Sequence, residues 1–335
     1  MKNAIWLIAA AAIAVPFAAK ASDPITLKLG FPPPPVSHFN AGLLAPWSKE
    51  IEEATGGAIK VQLFLSGTLA GHRNVYDRIL NEVADIGWGL HGMIGDSFKK
   101  TSVTALPGIP ATGPQCTEAL WQLYATGVIA DEYEKVHPLA FSCFPPTSSV
   151  SAKPLRSVDD FKGLKVAVSS RTYGQEVETL GGAPITLATT ELYQSLQRGT
   201  VDAAIVGWAA VAAYKLHEVA KFYFNAPLGQ TTNYLLMNKE SYAKLPAEAR
   251  KVFDSKTGAP LAARMAKAGK EETDMGLHAV EGVPGQTITT MPSGDIAKFR
   301  RQMAPLVEEW VKDTPDGARV LATYKAEIAK AEAAK

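Results

Sequence analysis

Between residues 159 and 208 the apolar positions alternate between short continuous runs and helical spacings. Residues 164–168, LKVAV, follow a glycine turn and predict a strand. The polar SSRT beyond it opens a helical pattern that stops at Gly181 and Gly182, and 183–187 predicts a second strand. Thr190 opens another helix, with Leu192, Tyr193 and Leu196 on one face and Gly199 as its stop. Residues 201–206 then return as a third buried strand ending in Gly207 and Trp208. Alternation in this order predicts a parallel sheet with ligands bound beyond its strand ends.

The same device occurs earlier, where 74–81 predicts a helix, 83–86 a strand, and Gly87 with Trp88 its end. A duplicated unit predicts two similar α/β lobes, each bringing a tryptophan to the rim of its sheet, with a cleft between them. Core packing is the competing reading for Trp88 and for Trp208. Residues 25–31 predict a first strand, and PPPPVSH a rigid loop that places Ser37 and His38 toward the cleft. An amphipathic helix over 41–55 stops at Gly56 and Gly57, and 59–65 is the next strand. Further along, 114–133 is helical, 137–144 a strand, and PPTSSVSAKP a crossing between lobes. Strands at 222–225 and 234–237 flank a return crossing, 246–276 predicts one long helix, and the tail from 295 is helical with a break at Pro315.

At the amino terminus Lys2 precedes an apolar stretch over 5–17 and the small-x-small triplet Ala19, Lys20, Ala21. This is the pattern of a secretory signal peptide cleaved after Ala21, too short and too poorly flanked for a membrane anchor. About 314 residues remain, which suits two lobes of roughly 100 to 200 residues each. A formal net charge of +1, with acids and bases interspersed, leaves no electrostatic footprint for nucleic acid. The two cysteines, Cys116 and Cys143, either pair in an oxidising compartment or stand as two buried thiols.

Three motifs with catalytic associations fail on context. Gly87-Trp88-Gly89-Leu90-His91-Gly92 matches G-x-G-x-x-G, but bulky Trp and His occupy the turn and no acidic residue follows at the required distance. Ser97-Phe98-Lys99-Lys100 with Lys256-Thr257-Gly258 has the S-x-x-K and K-T-G boxes without S-D-N. The six histidines form no metal-ligand spacing. The residues therefore point to a binding protein, not an enzyme, with neither cofactor nor metal.

An ordered set of segments carries a family resemblance: LKLGFPPPPVSHF, WSKEIEEATGGAIKVQLFLSGTLAG, RILNEVADIG, KGLKVAV, GGAPITL and LQRGTVDAA. In this order the chain resembles the solute-binding proteins of tripartite ATP-independent periplasmic (TRAP) transporters, DctP type, over nearly all of its mature length. The resemblance implies a two-lobed periplasmic binding protein fold, type II-like, each lobe a mixed, mostly parallel sheet flanked by helices, with a long helix spanning both. It divides the chain into the leader 1–21, a first lobe of 22–145 plus 230–275, and a second of 146–229 plus 276–335. It implies a periplasmic monomer that captures a small organic solute, an organic acid or an aromatic or apolar molecule, by hinge closure and delivers it to small and large membrane subunits. Service to an ATP-driven importer, or an exported S-x-x-K hydrolase or transferase, are the competing readings.

The chain departs from the family where the ligand is caught. Ala167 stands where relatives carry an arginine that pairs a substrate carboxylate, and the usual polar pattern after L-Q-x-G-x-V is replaced by Asp202, Ala203, Ala204, Ile205 and Val206. The segment before Lys153 and Pro154 carries Pro, Thr and Ser where many relatives have another arginine. Arg171, four residues beyond Ala167, is the expected replacement, with Arg73 from the facing lobe as the second candidate. The expected ligand-binding set is Phe31, His38, Arg73, Trp88, Arg171, Tyr173, Trp208 and Tyr234.

Overall fold

The computed structural model describes residues 24–333, so the leader and its cleavage site lie outside the described residues. Its first half runs β1 (Ile25–Gly30), α1 (Ala45–Ala54), β2 (Ile59–Phe64), α2 (Val75–Leu80), β3 (Ile86–Leu90), α3 (Gly113–Ala125) and β4 (Val136–Cys143). Then come β5 (Ser148–Ser151), β6 (Lys165–Val168), α4 (Arg171–Thr179), β7 (Ala183–Thr186), α5 (Leu192–Gln197), β8 (Ala203–Val206), α6 (Trp208–Ala213) and β9 (Phe222–Asn225). The chain closes with β10 (Thr232–Asn238), α7 (Lys239–Ala243), α8 (Ala247–Ser255), α9 (Ala259–His278), β11 (Thr287–Thr290), α10 (Ser293–Asp313) and α11 (Gly317–Ala333).

Two sheets result, ordered β2-β1-β3-β10-β4 and β11-β9-β5-β8-β6-β7. In each, one strand runs against the rest: β10 is antiparallel to β3 and β4, and β5 is antiparallel to β8 and β9. Each reversed strand is the first to enter its sheet after the chain has crossed from the other one. The crossings at 144–147 and 226–231 are bonded to each other, Phe144 N–H donating to Thr231 O at 3.0 Å and Thr147 N–H to Gly229 O at 3.1 Å. Helices cover both faces of each sheet, giving apolar clusters whose buried members do not overlap, with half-buried Trp121 packed against two of them.

The order of strands and helices over 159–208 follows the periodicity, but three boundaries do not. The strand expected at 83–86 begins only at Ile86 and carries on through Trp88 to Leu90. Residues 83–85 are taken up in a turn, where Val83 and Ala84 both donate to Arg78 O at 3.0 Å. Gly87 is a packing position inside the strand, since a Cβ there would stand 2.6 Å from Val75 Cγ2 and 2.7 Å from Ile79 Cδ1 of α2. The single helix expected over 246–276 is two, α8 and α9, broken where Gly258 takes φ +73 and Pro260 opens the next helix. It is α9 that spans the lobes, packing on α3 and β4 of the first and on α6 of the second.

The tail also differs from its expected assignment to the second lobe. Helix α10 packs against α4, but α11 returns to α3. Its i, i+4, i+8 stripe of Val320, Tyr324 and Ile328 is buried with Leu123 and Tyr133 of the first lobe. Cys116 of α3 and Cys143 of β4 form a disulfide, S–S 1.96 Å.

Candidate functional site

A cavity lies where the carboxyl ends of the two sheets face each other. Its first wall is aromatic. Phe31 follows β1, Trp88 projects from β3, Phe39 comes from the turn beyond the proline loop, and Phe144 starts the first crossing. Their rings interlock, with centroids 5.1 Å apart for Phe31 and Trp88, 5.5 Å for Phe39 and Trp88, and 6.2 Å for Phe39 and Phe144. Such edge and tilted contacts fix the rings in place before a ligand arrives. The Trp88 indole is further held by its Nε1–H, which donates to Asn233 Oδ1 at 3.3 Å.

The opposite wall is aliphatic and made of strand ends: Ala167 and Val168 of β6, Ile205 and Val206 of β8, with Leu187 and Leu192 beside them. Alanines 209, 210 and 213 of α6 add small side chains that leave room for a planar guest. Polar atoms enter at few points, from Ser37, His72, Ser169, Thr189, Tyr214 and Thr231. His72 Nε2 and the Tyr214 hydroxyl meet at 3.1 Å across the cleft. Burial lowers the His72 pKa from its ordinary value to about 4 and raises that of Tyr214, so both are neutral at pH 7.

Among the described residues no lysine or arginine lines this cavity, and Glu272 is its one acid. Glu272 accepts from the His38 N–H at 3.0 Å, and burial raises its pKa against the hydrogen bonds it takes from the 37–39 turn. Ala167 does line the wall and is 1 % exposed, so this strand end brings no charge to the cavity. At the rim Arg73 crosses to the second lobe, donating from Nη2 to Glu191 Oε2 at 3.1 Å and to Thr186 O at 3.3 Å.

A second chamber adjoins the first and shares Leu90, Ser169 and Thr231 with it. Arg171 and Tyr173 line this second space, and Arg171 also faces an open cleft together with Arg73.

Of the eight expected residues, the structure brings Phe31 and Trp88 to the main cavity, Arg73 to its rim, and Arg171 and Tyr173 to the adjoining chamber. The other three are elsewhere. Trp208 is the first residue of α6 and turns away, stacking on Tyr223 at 4.9 Å with its Nε1–H donating to Asn225 Oδ1 at 3.0 Å. Gly207 and Ala209 on either side of it form the cavity wall instead. Tyr234 is buried on the far face of the first sheet, 5.0 Å from the His91 ring. His38 pairs outside the cavity with Glu271 at 2.9 Å and tethers the proline loop to α9. The expectation missed Phe39, His72, Phe144 and Tyr214. Only Phe39 carried a sequence signal, as the aromatic closing FPPPPVSHF.

The catalytic motifs are absorbed by structure. Lys100 is buried and ion-paired to Asp131 at 2.9 Å and Asp316 at 3.7 Å, while Lys256-Thr257-Gly258 forms the break between α8 and α9. Among the described residues no group of three or more histidine, cysteine or acidic side chains is placed to hold a metal.

Residues 35–313 match the bacterial extracellular solute-binding proteins of family 7, DctP. The chain belongs to this family. A TRAP solute-binding protein from Rhodoferax ferrireducens T118, solved with copurified benzoate, superposes with a TM-score of 0.87 at 26% identity, covering 93% of this chain and 100% of that one. A marine metagenome TRAP solute-binding protein specific for aromatic acid ligands, solved with 3-hydroxybenzoate, gives a TM-score of 0.84 at 27% identity over 92% and 99% of the two chains. In sequence the chain is 27% identical to the outer membrane transporter protein TsaT of Comamonas testosteroni over 96% of each. This is a TRAP solute-binding protein, of the two-lobed α/β fold that the ordered motifs implied. The family comprises periplasmic solute receptors rather than enzymes, and among the described residues no helix is long and apolar enough to cross a membrane.

Proposed function

We infer that the main cavity captures a small aromatic organic acid. The observation that carries this is the wall of interlocked Phe31, Phe39, Trp88 and Phe144 facing an aliphatic wall across the cavity. Two such walls suit a planar ring, which gains from both burial and edge contacts. The benzoate and 3-hydroxybenzoate of the two similar structures support the same class. With Ala167 in the wall, the ring is held by packing, and within this cavity the hydroxyls of Ser169, Thr189, Tyr214 and Thr231 are what meet substituents on it.

Closure of the two lobes about the crossings at 144–147 and 226–231 traps the solute, and the closed form is what the membrane subunits of the transporter receive. The protein works after export, cleaved behind Ala21 and monomeric, and performs no chemistry on its ligand. Intact mass of the exported protein tests the cleavage, and a mass retaining residues 1–21 would contradict it.

The solute class is tested by thermal shift and calorimetry against benzoate, 3-hydroxybenzoate, mandelate and the aliphatic succinate. Aromatic acids raise the melting temperature and succinate does not. Tighter binding of succinate than of every aromatic acid would sink the reading.

A further inference from the structure

The main cavity accepts a ring readily but offers a carboxylate little. It has no cation among the described residues, and its one acid, Glu272, is 4 % exposed and adds like charge. A carboxylate buried there would lose its hydration without an ionic partner. The adjoining chamber is different in kind. Ser102, Thr104, Gln175, Gln230 and Thr232 line it with hydroxyl and amide groups, and its charged lining is Lys99 and Arg171 with the acids Asp96, Glu309 and Asp313.

Its charges are not equally free. Lys99 stands 3.9 Å from Asp96, and Glu309 accepts from Gln175 at 3.3 Å. Asp313 lines the same chamber at the end of α10. Arg171 enters no ion pair among the described residues. It is the first residue of α4, a helix whose amino end is capped by Ser170 accepting from the Tyr173 N–H at 3.2 Å. The positive end of that helix and the guanidinium therefore act on the same space. Leu90, Ser169 and Thr231 line both chambers, one apolar and two bearing hydroxyls.

Resting on the reading of the main cavity as an aromatic site, we propose that the second chamber is an extension subsite for the anionic end of an elongated ligand. The solute is an aryl acid whose ring lies between the aromatic and aliphatic walls. Its flexible chain passes the Leu90, Ser169 and Thr231 neck, and its carboxylate meets Arg171. Separation of ring and charge into two compartments also accounts for Ala167, because an arginine there would occupy the volume of the ring.

Calorimetry on the full mature protein tests this with benzoate, phenylacetate, 3-phenylpropionate, 4-phenylbutyrate and the neutral 4-phenylbutan-1-ol. Affinity rises along the acid series by at least about tenfold, and the longest acid exceeds its alcohol by a similar factor. In Arg171→Gln, and in Arg171→Lys to a smaller degree, the ratio of acid to alcohol affinity falls by about tenfold while the circular dichroism spectrum is retained. Affinity that declines with each added methylene, or an acid-to-alcohol ratio untouched in Arg171→Gln, overturns the extension subsite and leaves the aromatic cavity standing. Absence of binding by every aromatic compound overturns the aromatic cavity itself, and the extension with it.

Discussion

His72 of the first lobe and Tyr214 of the second share a hydrogen bond, Nε2 to hydroxyl at 3.1 Å, directly over the solute cavity. Desolvation, not a charged neighbour, sets the state of the imidazole, with its pKa lowered to about 4. The contact is therefore between two neutral groups, and it joins lobes that are otherwise linked at the rim by Arg73 and Glu191.

A pH dependence follows. In the unfolded chain His72 titrates near the ordinary value of about 6.5, so between pH 6.5 and about 4 the unfolded state binds more protons than the folded one. Stability contributed by neutral His72 is present above that window and lost as pH falls through it, by an amount on the order of 3 kcal/mol. Buried Glu176 and Glu272, whose pKa values are raised, act in the opposite sense. The informative quantity is thus the melting-temperature gap between wild type and His72→Gln. It narrows from pH 7 to pH 4.5, and a gap that stays constant would remove His72 from the balance.

The two tryptophans separate cleanly in their expected effects. Trp88→Phe removes indole area from the cavity wall and the bond to Asn233, and lowers affinity for aromatic acids by roughly two- to tenfold, about 0.5 to 1.5 kcal/mol. Trp208→Phe loses the bond to Asn225 and part of the stack on Tyr223, lowering the melting temperature with affinity unchanged. Titration calorimetry and thermal melts on both variants check the contrast, and loss of affinity in Trp208→Phe would refute it.

Arg73 bonds across to Glu191 and Thr186 of the second lobe, the geometry of a latch. Its pair with Glu191 is more than half exposed on the arginine side, so its contribution is screened and small, about 0.2 to 1 kcal/mol. Arg73→Gln therefore speeds ligand release by roughly 1.4- to 5-fold, more at low than at high salt. Stopped-flow dissociation at two ionic strengths measures this, and a salt-independent rate would rule out the latch.

The disulfide belongs to the scaffold and not to the site. Cys116 and Cys143 close a loop with a sequence separation of 27 residues and tie α3 to β4. Loop-closure entropy for that length gives about 3 to 4 kcal/mol. The double variant Cys116→Ala, Cys143→Ala loses stability of this order in urea unfolding and retains ligand affinity at 25 °C. Loss of affinity in the folded variant would show that the bridge positions the cavity.

Much of the architecture was legible because it is local. The alternation over 159–208 states which residues of each element are buried, and strand, helix and stop signals follow from that alone. The family motifs located Ala167, and the residue does face the cavity. What buries a given face is not local. Trp88 and Trp208 both follow a glycine near the end of a short apolar run, yet one sits within a strand and faces the cleft. The other begins a helix, and its rotation carries the ring onto Tyr223. His72, Phe144 and Tyr214 are far apart in sequence and meet only because the chain crosses between the sheets at 144–147 and 226–231 and α9 braces both. The sequence by itself determined the order of most elements and the two-lobed class. Only the tertiary structure decided which side chains share the cavity, because that depends on the direction in which each element enters its sheet and on the packing of one lobe against the other.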